Sequence, residues 1–347
     1  MLTVLFTLSK EKCKTMKLLY FLFIASFLNS CMPVGPTQRI NFTAPDAYPE
    51  GIAFDPAANV YYVSSARTGA IGRVTPEGAY TVLHSDTTLK STYGMKIHPD
   101  GKRLFVCASD ANYSRYTSPD TRNKMMRLIS IDLATGRKLT DLDLSTLYPG
   151  EHFANDLVFD DKGNLYITES YSNTIIKVDA NNRATVFSKS PLFETGGIGL
   201  NGIVYNPAGY LLVNSTGKGM LFKIDINNPQ NVQPVKLPMY FIGADGMLLN
   251  DQSTITMLVN GGNDKIFKIT SNDNWQSATL SGTTLLIDRF TYPATATFRG
   301  EDIWVMNAKF HELNDSTSIP SKVFSIQKAI IKPIPKKFRD DLFITTK

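Results

Sequence analysis

Apolar and polar positions along the chain fall into a unit that returns six times. Each copy opens on a small or acidic position and runs on through a short apolar stretch. It breaks at a cluster of Asp, Pro, Asn or Gly and resumes as a second apolar stretch. The copies are PEGIAFDPAANVYYVSS (49–65), YGMKIHPDGKRLFVCAS (93–109), ANDLVFDDKGNLYITES (154–170), LNGIVYNPAGYLLVNST (200–216), ADGMLLNDQSTITMLVN (244–260) and YPATATFRGEDIWVMNA (292–308). Short apolar runs split by turn residues read as paired strands. Anchored on Gly51, Gly94, Asp156, Gly202, Gly246 and Ala294, the copies are spaced 43, 62, 46, 44 and 48 residues apart. A third alternating run follows most copies (AIGRV, RLISI, TIIKV, LFKI, KIFKI, VFSI), and a weaker fourth leads into the next. Four strands in about 45 residues make one propeller blade. The expected fold is therefore all-β, a six-bladed β-propeller with four-stranded antiparallel blades. QRINFT (38–43) is expected to pair with the last blade and close the ring, which removes an open edge.

The N-terminus follows a different pattern. Met16-Lys17 precedes an apolar stretch from Leu18 to Leu28, then Asn29, Ser30 and Cys31. A positive start, an apolar segment and small residues before a cut describe a signal peptide, and the stretch is short for a membrane-spanning helix. LNSC resembles the bacterial lipobox, which implies a lipid on Cys31, attachment to a membrane through it, and a place in the cell envelope. Ordinary cleavage or an uncleaved anchor stays open. The expected organisation is 1–31 signal peptide with lipobox, 32–44 tether and ring-closing strand, 45–330 propeller, and 331–347 tail.

Composition narrows the function classes. Of the net charge of +5, the leader carries +3 (Lys10, Lys12, Lys14 and Lys17 against Glu11), which leaves +2 for the rest. No basic run with interleaved aromatics precedes the tail, so nucleic acid is not an expected partner. Tail residues Lys332, Lys336, Lys337 and Arg339 beside Asp340 and Asp341 read as a solvated end. Cys13, Cys31 and Cys107 form no CxxC pair, and Cys107 inside LFVCA reads as a core thiol. GIGLNG (197–202) fits GxGxxG, but a strand follows it where a dinucleotide loop needs a helix.

The chemistry-bearing residues sit just before the repeat anchors: Glu50, Tyr93, Asn155, Asn201, Asp245 and Pro293. Inner strands of a propeller start around one axis, so equivalent positions form a ring. Four of these six carry a side-chain oxygen, and two carboxylates with two amides suit a hard cation such as calcium or another divalent ion. The competing reading is four strand-entry turns, where Asn and Asp cap their own backbone. Strand order puts the loops Ser109–Lys124 and Ala308–Ser321 on the same face as Glu50, along with the short Ser170–Asn173 loop. The two long loops carry Tyr113, Arg115, Tyr116, Phe310 and His311, and long loops are often lids. His152, three residues before Asn155, is a candidate proton shuttle.

PEGIAFD, ANDLVFDDKGNLYITES, LNGIVYNPAG and ADGMLLN, in that order, resemble the gluconolactonase and senescence-marker-protein (regucalcin) family. More distantly they resemble diisopropyl fluorophosphatase and paraoxonase. The resemblance covers residues 45–330 and implies a catalytic calcium held by Glu50, Asn201 and Asp245. Asn155 would be a ligand or would hold a water or the substrate, and Asp245 the general base or nucleophile. The implied activity is calcium-dependent hydrolysis of a lactone or related ester. The small-molecule substrate would be contacted by Asn155, Phe153, Tyr93, Tyr113, Tyr116 and His311. Where that family's sugar-lactone enzymes carry an Arg shortly before the blade-3 Asn, this chain has Phe153 and Ala154, which suits a less polar substrate. A non-catalytic envelope propeller with a structural calcium, binding a protein or glycan, is the alternative. Phosphotriester hydrolysis would share the same site.

Overall fold

In the computed structural model the described residues are 38–111 and 113–335. The signal peptide, Cys31, the start of the tether and the end of the tail lie outside them. The sheets are six, five of four antiparallel strands and one of five, arranged as the repeats require. The first strands are Ile52–Asp55, Ser91–Ile97, Ala154–Phe159, Leu200–Asn206, Ala244–Asp251 and Pro293–Arg299. Arg39–Thr43 is the outer strand of the sixth blade, paired antiparallel to Val323–Lys328. Its burial alternates, with Ile40 and Phe42 turned inward. Each buried side chain contributes about 1.5–3 kcal/mol to holding the ring shut.

The core is a layer between each pair of neighbouring blades rather than one central mass. One layer joins Tyr62 and Ile71 of blade 1 to Met95, Val106 and Ile129 of blade 2. Another joins Leu128 of blade 2 to Leu157, Ile167 and Ile176 of blade 3. The seam between blades 6 and 1 adds Ile40, Phe42 and Phe324. Toward the axis the backbones crowd. A Cβ on Gly51 would lie 2.1 Å from the Tyr93 carbonyl oxygen, and one on Gly202 would lie 2.3 Å from that of Asp245. Close backbone approach explains the anchor glycines.

Polar side chains stitch the blades at the same level. Thr168 Oγ1 donates to the Asn201 carbonyl at 2.6 Å, and Ser91 Oγ to that of Ala66 at 2.6 Å. On the face opposite the candidate site, hairpins turn on short Asx motifs. Asp160 Oδ1, for example, accepts from the amides of Lys162 and Asn164.

The tail departs from expectation. Lys332 and Pro333 pair with Thr283 and Gly282 and give blade 5 a fifth strand. The Ile334 amide donates to the Ser281 carbonyl. Lys332 itself is exposed, so the charge is solvated as expected while the backbone beneath it is paired. The propeller thus reaches outward at both ends of the expected 45–330. No described helix is long and apolar enough to cross a membrane.

Candidate functional site

In five of the six blades the ladder between the first and second strand slips where the ring residues stand. The slips fall between Thr92 and Met95, Ala154 and Leu157, Leu200 and Ile203, Ala244 and Met247, and Pro293 and Ala296. A bulge re-aims the side chains at its position. Asn155, Asn201 and Asp245 stand at such slips; with Glu50, which precedes the regular ladder of blade 1, they line one cavity at the axis, with Tyr93, Phe153, Tyr113, Tyr292, Ile198 and Phe310 around it.

All four polar side chains are buried, yet each keeps one oxygen without a hydrogen-bond partner in the protein: Glu50 Oε2, Asn155 Oδ1, Asn201 Oδ1 and Asp245 Oδ1. The amides are held in this orientation. Asn155 Nδ2 donates to Ser170 Oγ at 3.0 Å, and Ser170 Oγ gives its own proton to the Leu200 carbonyl at 2.6 Å. In the next blade Asn201 Nδ2 donates to Thr216 Oγ1 at 3.1 Å, and Thr216 Oγ1 donates to the Ala244 carbonyl at 2.7 Å. A hydroxyl that has already donated can only accept, so each NH₂ faces its hydroxyl and each Oδ1 is turned away from it. Blade 5 uses an amide instead, Asn260 Nδ2 bonding Asp245 Oδ2. The three clamping residues each stand 15 positions after the residue they clamp. That constant spacing is a signal readable in the sequence.

A third carboxylate was also missed. Asp156 is buried at the axis, with Oδ2 unpartnered and Oδ1 3.9 Å from Lys96 Nζ. It stands where four of the other repeats have Gly. Gly94 makes room for it, since a Cβ there would lie 2.6 Å from Asp156 Oδ1. Burial first, then Asp245 and Asp156, pushes the Glu50 carboxyl well above the usual carboxylate range. Burial, with Asp156 adding to it, likewise raises Asp245 against the opposing Asn260 amide. An unpaired buried carboxylate is costly, and two facing one cavity, with Asp156 behind them, make it a place that favours a cation.

Two aromatic groups form the walls and roof. Phe153 meets Tyr93 edge to face and Tyr171 at a tilt, with ring centroids 4.7 and 5.5 Å apart. Above blade 1 the two long loops meet. Tyr113 packs on Phe310 at 5.1 Å, its hydroxyl reaches Asn314 Oδ1 at 3.4 Å, and Tyr292 closes on Phe310 from the other side at 5.4 Å. About 50 Å³ of solvent-accessible space remains, room for an ion and a few waters.

Three expected residues stand elsewhere. His152 is buried against Tyr148, ring centroids 5.0 Å apart, and does not line the cavity. Burial lowers its basicity. The proton-shuttle expectation is corrected, because the residue enters the blade with its ring turned toward the blade-2 side. Tyr116 lines a separate groove with Thr87, Lys90 and Arg127. His311 is exposed, while its neighbour Phe310 takes the place at the cavity. The substrate-contact expectation fails for both, because each loop turns the neighbouring ring inward instead. Glu169 is a buried carboxylate of a different kind: it accepts from the amides of Phe153, Tyr171 and Ser172 and fixes the short blade-3 loop.

No protein-family model matches the sequence, and no curated protein matches it. Solved structures do. The major Malassezia sympodialis allergen Mala s 1 aligns over 85% of this chain and 96% of its own, at 16% identity and a TM-score of 0.66. Virginiamycin B lyase from Staphylococcus aureus covers 85% of this chain and 99% of its own, at 16% identity and 0.55. A structure described as a gluconolactonase candidate covers 87% and 95%, at 12% identity and 0.52. At such identities the likeness is one of fold, a propeller that serves both an allergen and a lyase.

Proposed function

We propose that the protein is a calcium-dependent hydrolase of a lactone or related ester, with the ion in the central cavity. The observation that carries this is the set of four buried oxygens, from Glu50, Asn155, Asn201 and Asp245, left without partners around one small space. The donor set fits a hard ion of flexible coordination. It depends on the amides, since no group of three or more His, Cys, Asp or Glu placed to hold a metal occurs among the described residues. Asn155 and Asn201 would hold the ion with their fixed Oδ1 atoms, Glu50 with Oε2, and Asp245 with Oδ1. A divalent cation there supplies Lewis acidity to a carbonyl oxygen.

The chain's own groups do the rest. Asp245, anchored through Oδ2 by Asn260, has only Oδ1 free, so one lone pair of that oxygen would face the ion while the other accepts a proton from attacking water. Phe153, Tyr93 and Tyr113 offer ring faces to a substrate of low polarity and keep bulk water from the reacting atoms. Substrate entry requires Tyr113 and Phe310 to part. Attachment to the cell envelope through a lipid on Cys31 belongs to the same reading. Cys31→Ser with unchanged mass and membrane fractionation would overturn that part.

The test is hydrolysis of lactones, aryl esters and phosphotriesters, with calcium and then with chelator. Expected is lactone or ester turnover that chelation removes and calcium restores; calcium binding without turnover of any substrate would overturn the enzyme. The closed roof favours a second reading, a structural calcium in a non-catalytic propeller, and that same outcome would select it.

A further inference from the structure

Lys96 lies on the first strand of blade 2, three residues beyond Tyr93, and extends toward Asp156 of blade 3. Its ammonium lies 3.9 Å from Asp156 Oδ1, the outer limit of an ion pair, and its side chain is 25% exposed where that of Asp156 is 4% exposed. Asp156 takes one further hydrogen bond, from the Leu157 amide to the same Oδ1, and Oδ2 takes none. The pair is therefore a loose one, a positive charge placed near a carboxylate rather than locked on it. Its field extends further: Lys96 also favours the charged form of Glu50 against Asp245 and Asp156.

With Glu50, Asp156 and Asp245 all ionised, as they would be around a bound cation, the ammonium of Lys96 leaves an excess of two negative charges, the magnitude that one divalent ion cancels. We propose that Lys96 is a built-in counter-cation on the channel floor, and that its charge sets how tightly the Glu50–Asn155–Asn201–Asp245 quartet holds a divalent ion. This rests on the calcium reading above. Lys96 touches neither the cavity nor a substrate; it acts through Asp156 and the field at the quartet. It is a positioning residue whose role is to weaken the site to a working affinity. At separations of several ångströms and an effective dielectric constant near 20–40, one unit charge changes the binding of a divalent ion by at least about tenfold.

Calorimetric calcium titration of the full chain, backed by terbium luminescence sensitised by Tyr93, Tyr113 and Tyr292, tests the idea. Lys96→Met should tighten binding by about tenfold or more, Asp156→Asn should weaken it by a similar factor, and the double variant should return close to the wild type. Opposite signs for the two single variants separate a charge role from a structural one, which would weaken both. If Lys96→Met does not fold, comparing the double variant with Asp156→Asn carries the same prediction, a tightening on loss of Lys96. A wild-type chain that binds neither ion overturns the calcium reading and this proposal with it. Binding by the wild type that Lys96→Met leaves unchanged or weakens overturns the Lys96 role alone.

Discussion

Asp160 and Asp245 are the same residue at nearly the same burial, 6% and 7% exposed, on opposite faces of the propeller. Asp160 ends a first strand and is fully used. Its oxygens accept from the Lys162 amide at 2.9 Å, the Asn164 amide and side chain at 2.8 Å each, and the Tyr166 hydroxyl at 3.2 Å. Asp245 begins a first strand; one oxygen is tied to Asn260 and the other faces the cavity with no donor. The turn carboxylate is satisfied by its own hairpin, so its charge serves the fold. The axial carboxylate is held in place yet left unsatisfied, so its charge is free to serve a ligand.

The loops divide the same way. Among the described residues, apart from Val82, Leu139, Val186 and Val323 on strands, the exposed large apolar side chains lie on connections of the Asp245 face, among them Tyr240, Leu286, Ile287 and Ile319. The Asp160 face carries short polar turns. Local sequence dictates the one face, and only the assembled ring defines the other.

The largest effect expected from breaking this contrast is on turnover. Asp245→Asn should lower hydrolysis at saturating calcium on the order of 10²–10⁴-fold while the fold persists and calcium binds more weakly. Glu50→Gln should instead regain activity as calcium is raised. Steady-state kinetics beside calcium titration check both, and near wild-type turnover of Asp245→Asn would leave Asp245 as a ligand at most.

Asp160→Ala should do the reverse. It strands several donors and should cost about 1–3 kcal/mol of stability, read as a lower denaturation midpoint, with calcium affinity untouched. A shift in calcium affinity as large as that of Asp245→Asn would erase the distinction between the two faces.

A smaller effect lies in pH. Glu50, Asp156 and Asp245 all have carboxyls raised by burial in the folded chain. The stability they contribute is present below their unfolded values and is lost as pH rises through the folded ones. The metal-free protein should therefore melt lower as pH climbs from about 4 to about 7, and added calcium should recover more of that loss the higher the pH. Thermal melts with and without chelator read this; a calcium effect independent of pH would remove the carboxylates from the binding step.

What could be read in advance follows from the same contrast. The six blades, the closing strand at 38–43 and the axial ring were legible because each rests on a periodic pattern. Asp156 was not, because it stands at the repeat anchor, where most other copies have Gly and no side chain, one position after the ring residues. Nor were the bulges, which slip the ladder by backbone geometry without a distinctive residue. The lengths of the 109–124 and 308–321 loops marked them as covers. Which ring of each turns inward depends on packing between segments far apart in the chain, so Tyr113 and Phe310 could not be told from Tyr116 and His311. The pairing of Lys332 and Pro333 was hidden by their charge and by proline's poor strand credentials.

Closing the ring with the N-terminal strand has a cost in time. Arg39 meets Gln327 across 288 positions, so the strand Arg39–Thr43, synthesised before all six first strands, waits for the last blade. Until then Ile40 and Phe42 are uncovered, and the open edge of Val323–Lys328 can recruit another chain. Contacts this distant in sequence form slowly. Five blades can build on their neighbours as the chain appears, whereas the sixth is a docking event between its two ends. Folding should therefore wait on a nearly complete, still open ring, the species most exposed to aggregation and the one that chaperones would have reason to shelter.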